Sequence, residues 1–393
     1  MNIIYNQKLA FLLKFFVFIW IVFIPMKTSF YQISFIMIVG IFCAYLFLNK
    51  KMPIFKDILQ QNKNILLAFG LILLSMTISN SLGKFVTMDS WSTQFHYLFR
   101  YFFVFLILLF FHREKLISQR FIALAILCSL SLQGLDGLHQ AIFGNDFIKG
   151  HSGSIVDGLS GATFNRNNFG FFMTIGASLC TGLLFYKNEY KLTTLNIVSL
   201  AILLFLFLFN LLFTYSRASW LFYSVFLVIL VTLNYKKLSK KHYLAFGIVF
   251  ISMVCIFLYF DNLTLRLIQL LQMDDGGRKP IWDDALQLIE KNYLFGYGLM
   301  TYDYIASQPT LSIHNSILEI LLFLGIFGFM AFTLLLYLIL KEIVKARKYF
   351  HLAFFFAFLV ITQFDNSIIK GITSLSSLAL FAFFIFADKT KEV

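Results

Sequence analysis

The sequence predicts an all-α polytopic membrane protein with about 12 transmembrane helices, and three observations carry that prediction. Hydrophobic residues make up 60% of the 393-residue chain and charged ones 13%, against roughly 25% in a soluble domain. Mean hydropathy is +0.82. Apolar runs of about 20 residues, each long enough to cross about 30 Å of hydrocarbon as a helix, recur along the whole length. So much apolar surface cannot be buried in one aqueous core.

Expected spans lie near 9–26, 29–48, 64–82, 93–111, 121–141, 168–186, 194–213, 218–235, 243–260, 315–340, 350–364 and 371–387. The first run has no small-residue cleavage site and leads straight into a second apolar span, so it reads as a retained helix. The long 315–340 run is expected to tilt or to extend past the bilayer. No repeat or separate soluble domain is visible, so residues 1–393 read as a single integral membrane domain.

Net charge is +13, and its distribution explains it. With the N-terminus inside, the connectors on that side hold 20 Lys/Arg and the opposite side holds 10. Short basic connectors such as "KKLSKKH" are cytoplasmic retention signals. Both termini are therefore expected in the cytoplasm, and the basicity is topological, with no call for nucleic acid. Cys43, Cys128, Cys180 and Cys255 fall within spans without CxxC spacing and read as packing residues.

The sizeable connectors, 142–167 and 261–314, are both expected to face outward, the second being a large outer loop between helices 9 and 10. Outward arginines are not retention signals. Arg217, in "TYSRASWL" (214–221), could snorkel to lipid headgroups or hold an anion. In the large loop, "MDDGGRKPIWDDALQLIEKNYLFGYG" predicts a short amphipathic helix over about 280–291, with Ile281, Trp282, Ala285, Leu286 and Ile289 in one stripe. Proline suits its first position, and Gly276 and Gly277 let the chain turn into it. Arg278 then precedes a helix N-terminus, where an anion is favoured. The same helix could also lie on the membrane surface. The GxG of "FGYG" is weak as a nucleotide signal.

His314 opens "HNSILEILLFLGIFG" at the outer mouth of the tenth span. Histidine is the usual general base near neutral pH, and neighbouring arginines would hold it uncharged. Glu319 reads as an intramembrane partner for a cation such as Arg100, and Trp220 and Trp282 read as interfacial anchors. No HExxH or comparable ligand cluster appears, so neither a metal site nor a cofactor is expected.

In order, "GATFNRNNFG" (161–170), "TYSRASWL", "GRKPIWDDALQLIEKNYLFGYG" (277–298) and "HNSILEILLFLGIFG" (314–328) resemble the O-antigen ligase family, within the wider superfamily of bacterial surface-glycan ligases and polymerases. Two departures stand out. Arg166 takes a place where that family often has proline, and Tyr293 replaces the proline of its "NPxxGxG" stretch. The resemblance implies a multi-pass protein of the bacterial inner membrane with its active site on the periplasmic face. It implies transfer of a glycan from undecaprenyl diphosphate to lipid A–core without a metal. His314 would be the general base, and Arg217 and Arg278 would clamp the diphosphate. Arg166, Asn165, Asn168 and Lys149 are secondary candidates for lining the donor site. A glycan polymerase or a protein O-oligosaccharyltransferase would use the same donor with another acceptor. A flippase would bind the donor without cleaving it, and would expose polar groups through the membrane depth. Here the candidate groups gather on one face.

Overall fold

The computed structural model describes all residues except 1, 27, 239, 241–250, 252–254, 273, 275, 307–312, 365–371 and 388–393. Its helices are α1 (Asn2–Phe23), α2 (Ser29–Leu48), α3 (Met52–Gln61), α4 (Lys63–Leu82), α5 (Met88–Arg113), α6 (Gln119–Phe143), α7 (Arg166–Phe185), α8 (Thr194–Phe213) and α9 (Arg217–Leu233). There follow α10 (Asp261–Leu271), α11 (Lys279–Lys291), α12 (Ser316–Lys345), α13 (Tyr349–Ile361) and α14 (Ile372–Phe386). No β-strand occurs among the described residues, so the protein is an all-α polytopic membrane protein. Among the described residues, seven helices (α2, α4–α8 and α12) are long and apolar enough to cross a membrane, while α9, α13 and the apolar part of α14 are shorter. The expected ninth span, 243–260, lies largely outside the described residues. Leu195, Val198, Ile202 and Phe205 leave α8 with an exposed apolar face, which suits a helix whose solvent is lipid.

The chain divides into two compact units. The first comprises residues 1–126, 277–347 and 362–393. Within it α1 packs on α2, with Trp20 stacked on Tyr31, and α4 packs on α12. Arg100 lies 5.4 Å over the Tyr31 ring, and Glu319 is buried in the first turn of α12.

The long apolar run expected to tilt is instead broken at Gly325, which takes φ 63° and ψ −166°. A break in a helix strands backbone groups that lipid cannot satisfy, so protein must do it. The "YLFGYG" segment does so. Tyr297 N–H donates to Leu322 O at 2.9 Å, Gly298 N–H to Phe323 O at 3.0 Å, and Ile326 N–H to Tyr293 O at 2.8 Å. The Ser79 hydroxyl also donates to Phe323 O. Buried Asn80 accepts Leu299 N–H at 2.9 Å, and Ser90 donates to Leu299 O at 2.5 Å. The glycines therefore serve close backbone approach, not a nucleotide. A Cβ on Gly296 would stand 2.5 Å from the Phe323 carbonyl carbon, and one on Gly325 would stand 2.2 Å from Leu294 O. The Gly325 conformation is one that essentially only glycine adopts, at about 1–3 kcal/mol for other residues before any clash. Gly325→Ala is therefore expected to lower the melting temperature sharply or to abolish the monodisperse peak in fluorescence-detected size exclusion; an unchanged melt would contradict this docking.

The second unit comprises residues 127–276 and 348–361. Small residues let its helices cross closely. A Cβ on Gly137 of α6 would meet Asn210 Oδ1 of α8 at 2.1 Å, and Asn210 donates to Gly134 O at 2.9 Å. Helix α7 packs on α8 and on α9, and α9 on α13. Thr214, Ser216 and Ser219 are buried, and Thr174 of α7 donates to Ser219 O at 3.3 Å. Much of the polarity of "TYSRASWL" thus locks α9 against α7.

Candidate functional site

Four sequence motifs share one local design. In each, a residue with positive φ is followed by a helix N-cap and then by the helix itself. They are Phe164 (φ 62°) before Asn165 and Arg166, Tyr215 (φ 53°) before Ser216 and Arg217, Gly277 (φ 79°) before Arg278 and Lys279, and His314 (φ 53°) before Asn315 and Ser316. A left-handed non-glycine residue costs roughly 1–2 kcal/mol, and such strain gathers at functional sites. The sharp turn delivers the chain into a helix end with a side chain projecting beside it.

In the second unit the 144–163 connector is pinned by side chains of α6 and by Tyr215. Asp136 of α6 accepts the Phe147, Ile148 and Ala162 N–H groups at 2.9, 3.1 and 2.7 Å. Gln140 accepts those of Ser160 and Gly161 and donates to His151 O at 3.1 Å. The Tyr215 hydroxyl donates to Ile155 O at 2.6 Å. Burial raises the Tyr215 pKa above its ordinary value while the Arg266 charge opposes it, so the phenol remains a neutral donor.

Arg166 and Arg217 are the first residues of α7 and α9. A cation there opposes the helix dipole by about 0.3–1 kcal/mol, so packing alone does not explain either. Asn165 caps α7, its Oδ1 accepting the Asn167 and Asn168 N–H groups at 2.8 and 3.2 Å. Asn168 is exposed on that first turn, and Lys149 is exposed on the pinned connector. The first turn of α9 has no side-chain cap, because the Ser216 hydroxyl meets Ser219 Oγ at 2.9 Å. Arg217 Nη1 donates to the Asp274 backbone oxygen at 2.9 Å and to its Oδ2 at 3.2 Å. Gly276 makes room: a Cβ there would lie 2.9 Å from Arg217 Nη2.

Arg166 also feels the charges of Arg266 and Arg217. Arg266 is on α10, an amphipathic helix packed on α9, and its Nη1 donates to Gln269 Oε1 at 3.0 Å. Sequence reasoning counted Arg266 among the outward cations without singling it out. The signal was available, since no outward arginine is explained by retention.

In the first unit, α11 packs on α12 and buries Ile281 and Ala285. Leu286 of the expected stripe is exposed at 47%. Trp282 Nε1 donates to Ile313 O at 2.9 Å, fixing the backbone next to His314. Asn315 then caps α12, accepting the Ile317 and Leu318 N–H groups at 3.0 and 3.1 Å, and Ser316 N–H donates to Thr362 O at 2.8 Å. His314 is half-buried between these two anchors. Arg278 is half-buried at the N-cap of α11, with Pro280 in the first turn. Burial, then the charge of Asp284, lifts the Tyr302 phenol to about 12.

Residues 200–333 match the family model described as O-antigen ligase. The match spans about a third of the chain and marks this segment as similar to that family. That segment contains Arg217, Arg266, Arg278 and His314, with Arg166 and the 144–163 connector N-terminal to it. A comparison with curated proteins returned no match. The family match and the apolar helices support a multi-pass membrane protein with O-antigen ligase- or polymerase-type function in general.

Proposed function

We propose that the protein is an inner-membrane glycosyltransferase that moves a glycan from undecaprenyl diphosphate to lipid A–core on the periplasmic face, as an O-antigen ligase. In this reading His314 takes the proton of an acceptor hydroxyl. The acceptor oxygen forms a bond to the anomeric carbon as that carbon's bond to the diphosphate oxygen breaks, inverting the centre. The electron pair leaves on the diphosphate, where Arg217 and Arg278 meet the developing charge. Guanidinium groups suit this task, being planar, permanently charged and able to bind two oxygens at once. Fixed cations aimed at a departing anion are often the largest single contribution to catalysis.

One observation carries the reading most directly. Arg217, at the dipole-opposed end of α9, already holds an oxyanion, the Asp274 carboxylate. Both arginines and His314 fall inside the matched segment.

The test is transfer by the purified protein. Given an undecaprenyl-diphosphate glycan and lipid A–core, it is expected to yield ligated product and free undecaprenyl diphosphate. Absence of product with every acceptor offered would overturn the enzyme. Product only on the non-reducing end of a growing chain, or only on protein, would overturn lipid A–core as acceptor.

A further inference from the structure

We propose that the turn joining α1 to α2 holds the phosphate of an anionic phospholipid, seated by Arg100, Trp20, Thr28 and the start of α2. The site lies within the first unit and uses none of the residues given above to the donor or to proton transfer.

Arg100 stands in the middle of a membrane-length helix, in the π-helical stretch Leu98–Phe103 of α5. Such insertions are rare and gather at functional sites. The Arg100 guanidinium lies 5.4 Å over the Tyr31 ring, and Tyr31 stacks on Trp20 with ring centroids 6.2 Å apart. Phe42 meets Phe103 at 5.7 Å between rings, which keeps α2 beside this stretch of α5. Tyr31 N–H donates to Thr28 O at 3.1 Å, so Thr28 lies one turn away. Around this one tyrosine three polar groups are buried with no hydrogen-bond partner among the described residues: Arg100 Nη1, Trp20 Nε1 and the Thr28 hydroxyl. Trp20 is fully buried, and Thr28, although it is the N-cap of α2, makes no capping bond with its side chain. A buried donor without an acceptor is costly, most of all when it is charged.

What these groups lack is an anion. Guanidinium and indole nitrogens only donate, and the start of a helix also favours negative charge. The chain supplies none here. Helices α1 and α2 carry no acidic residue, and α5 carries only Asp89, eleven positions before Arg100. Helix α14, which packs on the π-helical stretch, has none either. Arg100 belongs to no ion pair among the described residues. Its contact with Tyr31 offsets part of the cost of a desolvated guanidinium and leaves the charge unneutralised. The surroundings make the anion a lipid's. Phe30, Ile33 and Met37 are exposed at 60, 53 and 40% along one face of α2, an apolar track that starts at the turn and suits acyl chains. Helix α2 is one span long, at 20 residues, so its first turn falls at the depth of lipid headgroups. Arg100 is part-exposed, which lets its guanidinium turn from the Tyr31 face to a phosphate at that level.

The experiment measures binding of phosphatidylglycerol and phosphatidylcholine to the purified full chain in detergent micelles, with inorganic phosphate as the free anion. Wild-type protein is expected to hold phosphatidylglycerol about tenfold tighter than phosphatidylcholine, whose own cation already answers its phosphate. Arg100→Gln should remove most of that preference. Trp20→Phe keeps a stacked ring and loses the N–H, so it should weaken phosphatidylglycerol binding about two- to tenfold with phosphatidylcholine little changed. It also stands in if Arg100→Gln fails to fold. Lys56 is an exposed cation on α3, beyond the far end of α2, and Lys56→Gln should leave the ratio unchanged. Equal affinity for the two lipids in wild type, or an unchanged ratio in both Arg100→Gln and Trp20→Phe, overturns the site. So does a loss in Lys56→Gln as large as that in Arg100→Gln, which would make the preference one of net charge. Inorganic phosphate bound as tightly as phosphatidylglycerol would overturn the lipid as ligand. Because no step of transfer uses these residues, the expected ratios in a protein that transfers nothing would leave the site standing.

Discussion

His314→Asn is expected to abolish glycan transfer, by about 10²–10⁴-fold in turnover, while the protein still melts as the wild type does and still binds the polyprenyl-diphosphate donor. Asparagine is the informative replacement because His314 holds φ 53°. Asparagine tolerates the left-handed region, whereas alanine there would add backbone strain to the loss of the imidazole. The carboxamide can still hydrogen-bond but cannot take a proton. The setting of the residue gives the prediction its sharpness. Trp282 fixes Ile313 on one side and the Asn315 cap fixes α12 on the other, so the turn should survive the change. Single-turnover transfer with purified protein separates chemistry from binding. Near-wild-type turnover in a folded, donor-bound His314→Asn protein would remove His314 from the chemistry and leave it a turn residue.

The apolar runs were legible because hydrophobic length against a bilayer is a one-dimensional signal. What the sequence hid is tertiary. The run over 315–340 has uniform hydropathy, yet its helix breaks at Gly325 because the 293–298 segment supplies the hydrogen bonds there. Those partners lie about thirty residues away in the chain, beyond any local pattern. For the same reason "FGYG" gave a faint nucleotide signal when its glycines answer to backbone crowding. At the candidate site, residue type and outward placement marked Arg217, Arg278 and His314. Arg266 was passed over because one arginine in an amphipathic helix looks like a solvated face. The Trp282 N–H likewise finds Ile313 O, a partner thirty-one residues away that no local pattern shows.

Arg217→Lys is expected to lower kcat/KM for transfer by about 10–100-fold, the loss of one charge-assisted hydrogen bond of about 1.5–3 kcal/mol, with charge retained. Arg217→Gln should fall further, since charge and fork are lost together. Stability should move differently. In the folded protein the Arg217–Asp274 pair is partly exposed, at 19% and 40% of the side chains, so its contribution is at most about 1 kcal/mol. Against it stands the unfavourable position at the start of α9, also about 0.3–1 kcal/mol. The two nearly cancel, so Arg217→Gln should melt within a few degrees of wild type. A residue retained for packing would show the opposite split, with a large loss of stability and activity falling only as folded protein is lost. Asp274→Asn separates the remaining possibilities. If Asp274 merely occupies the place of a phosphate, removing its charge should tighten donor binding; if it orients Arg217 for the donor, binding should weaken in the Asn variant. A Lys variant with full activity would show that the diphosphate does not depend on the Arg217 fork.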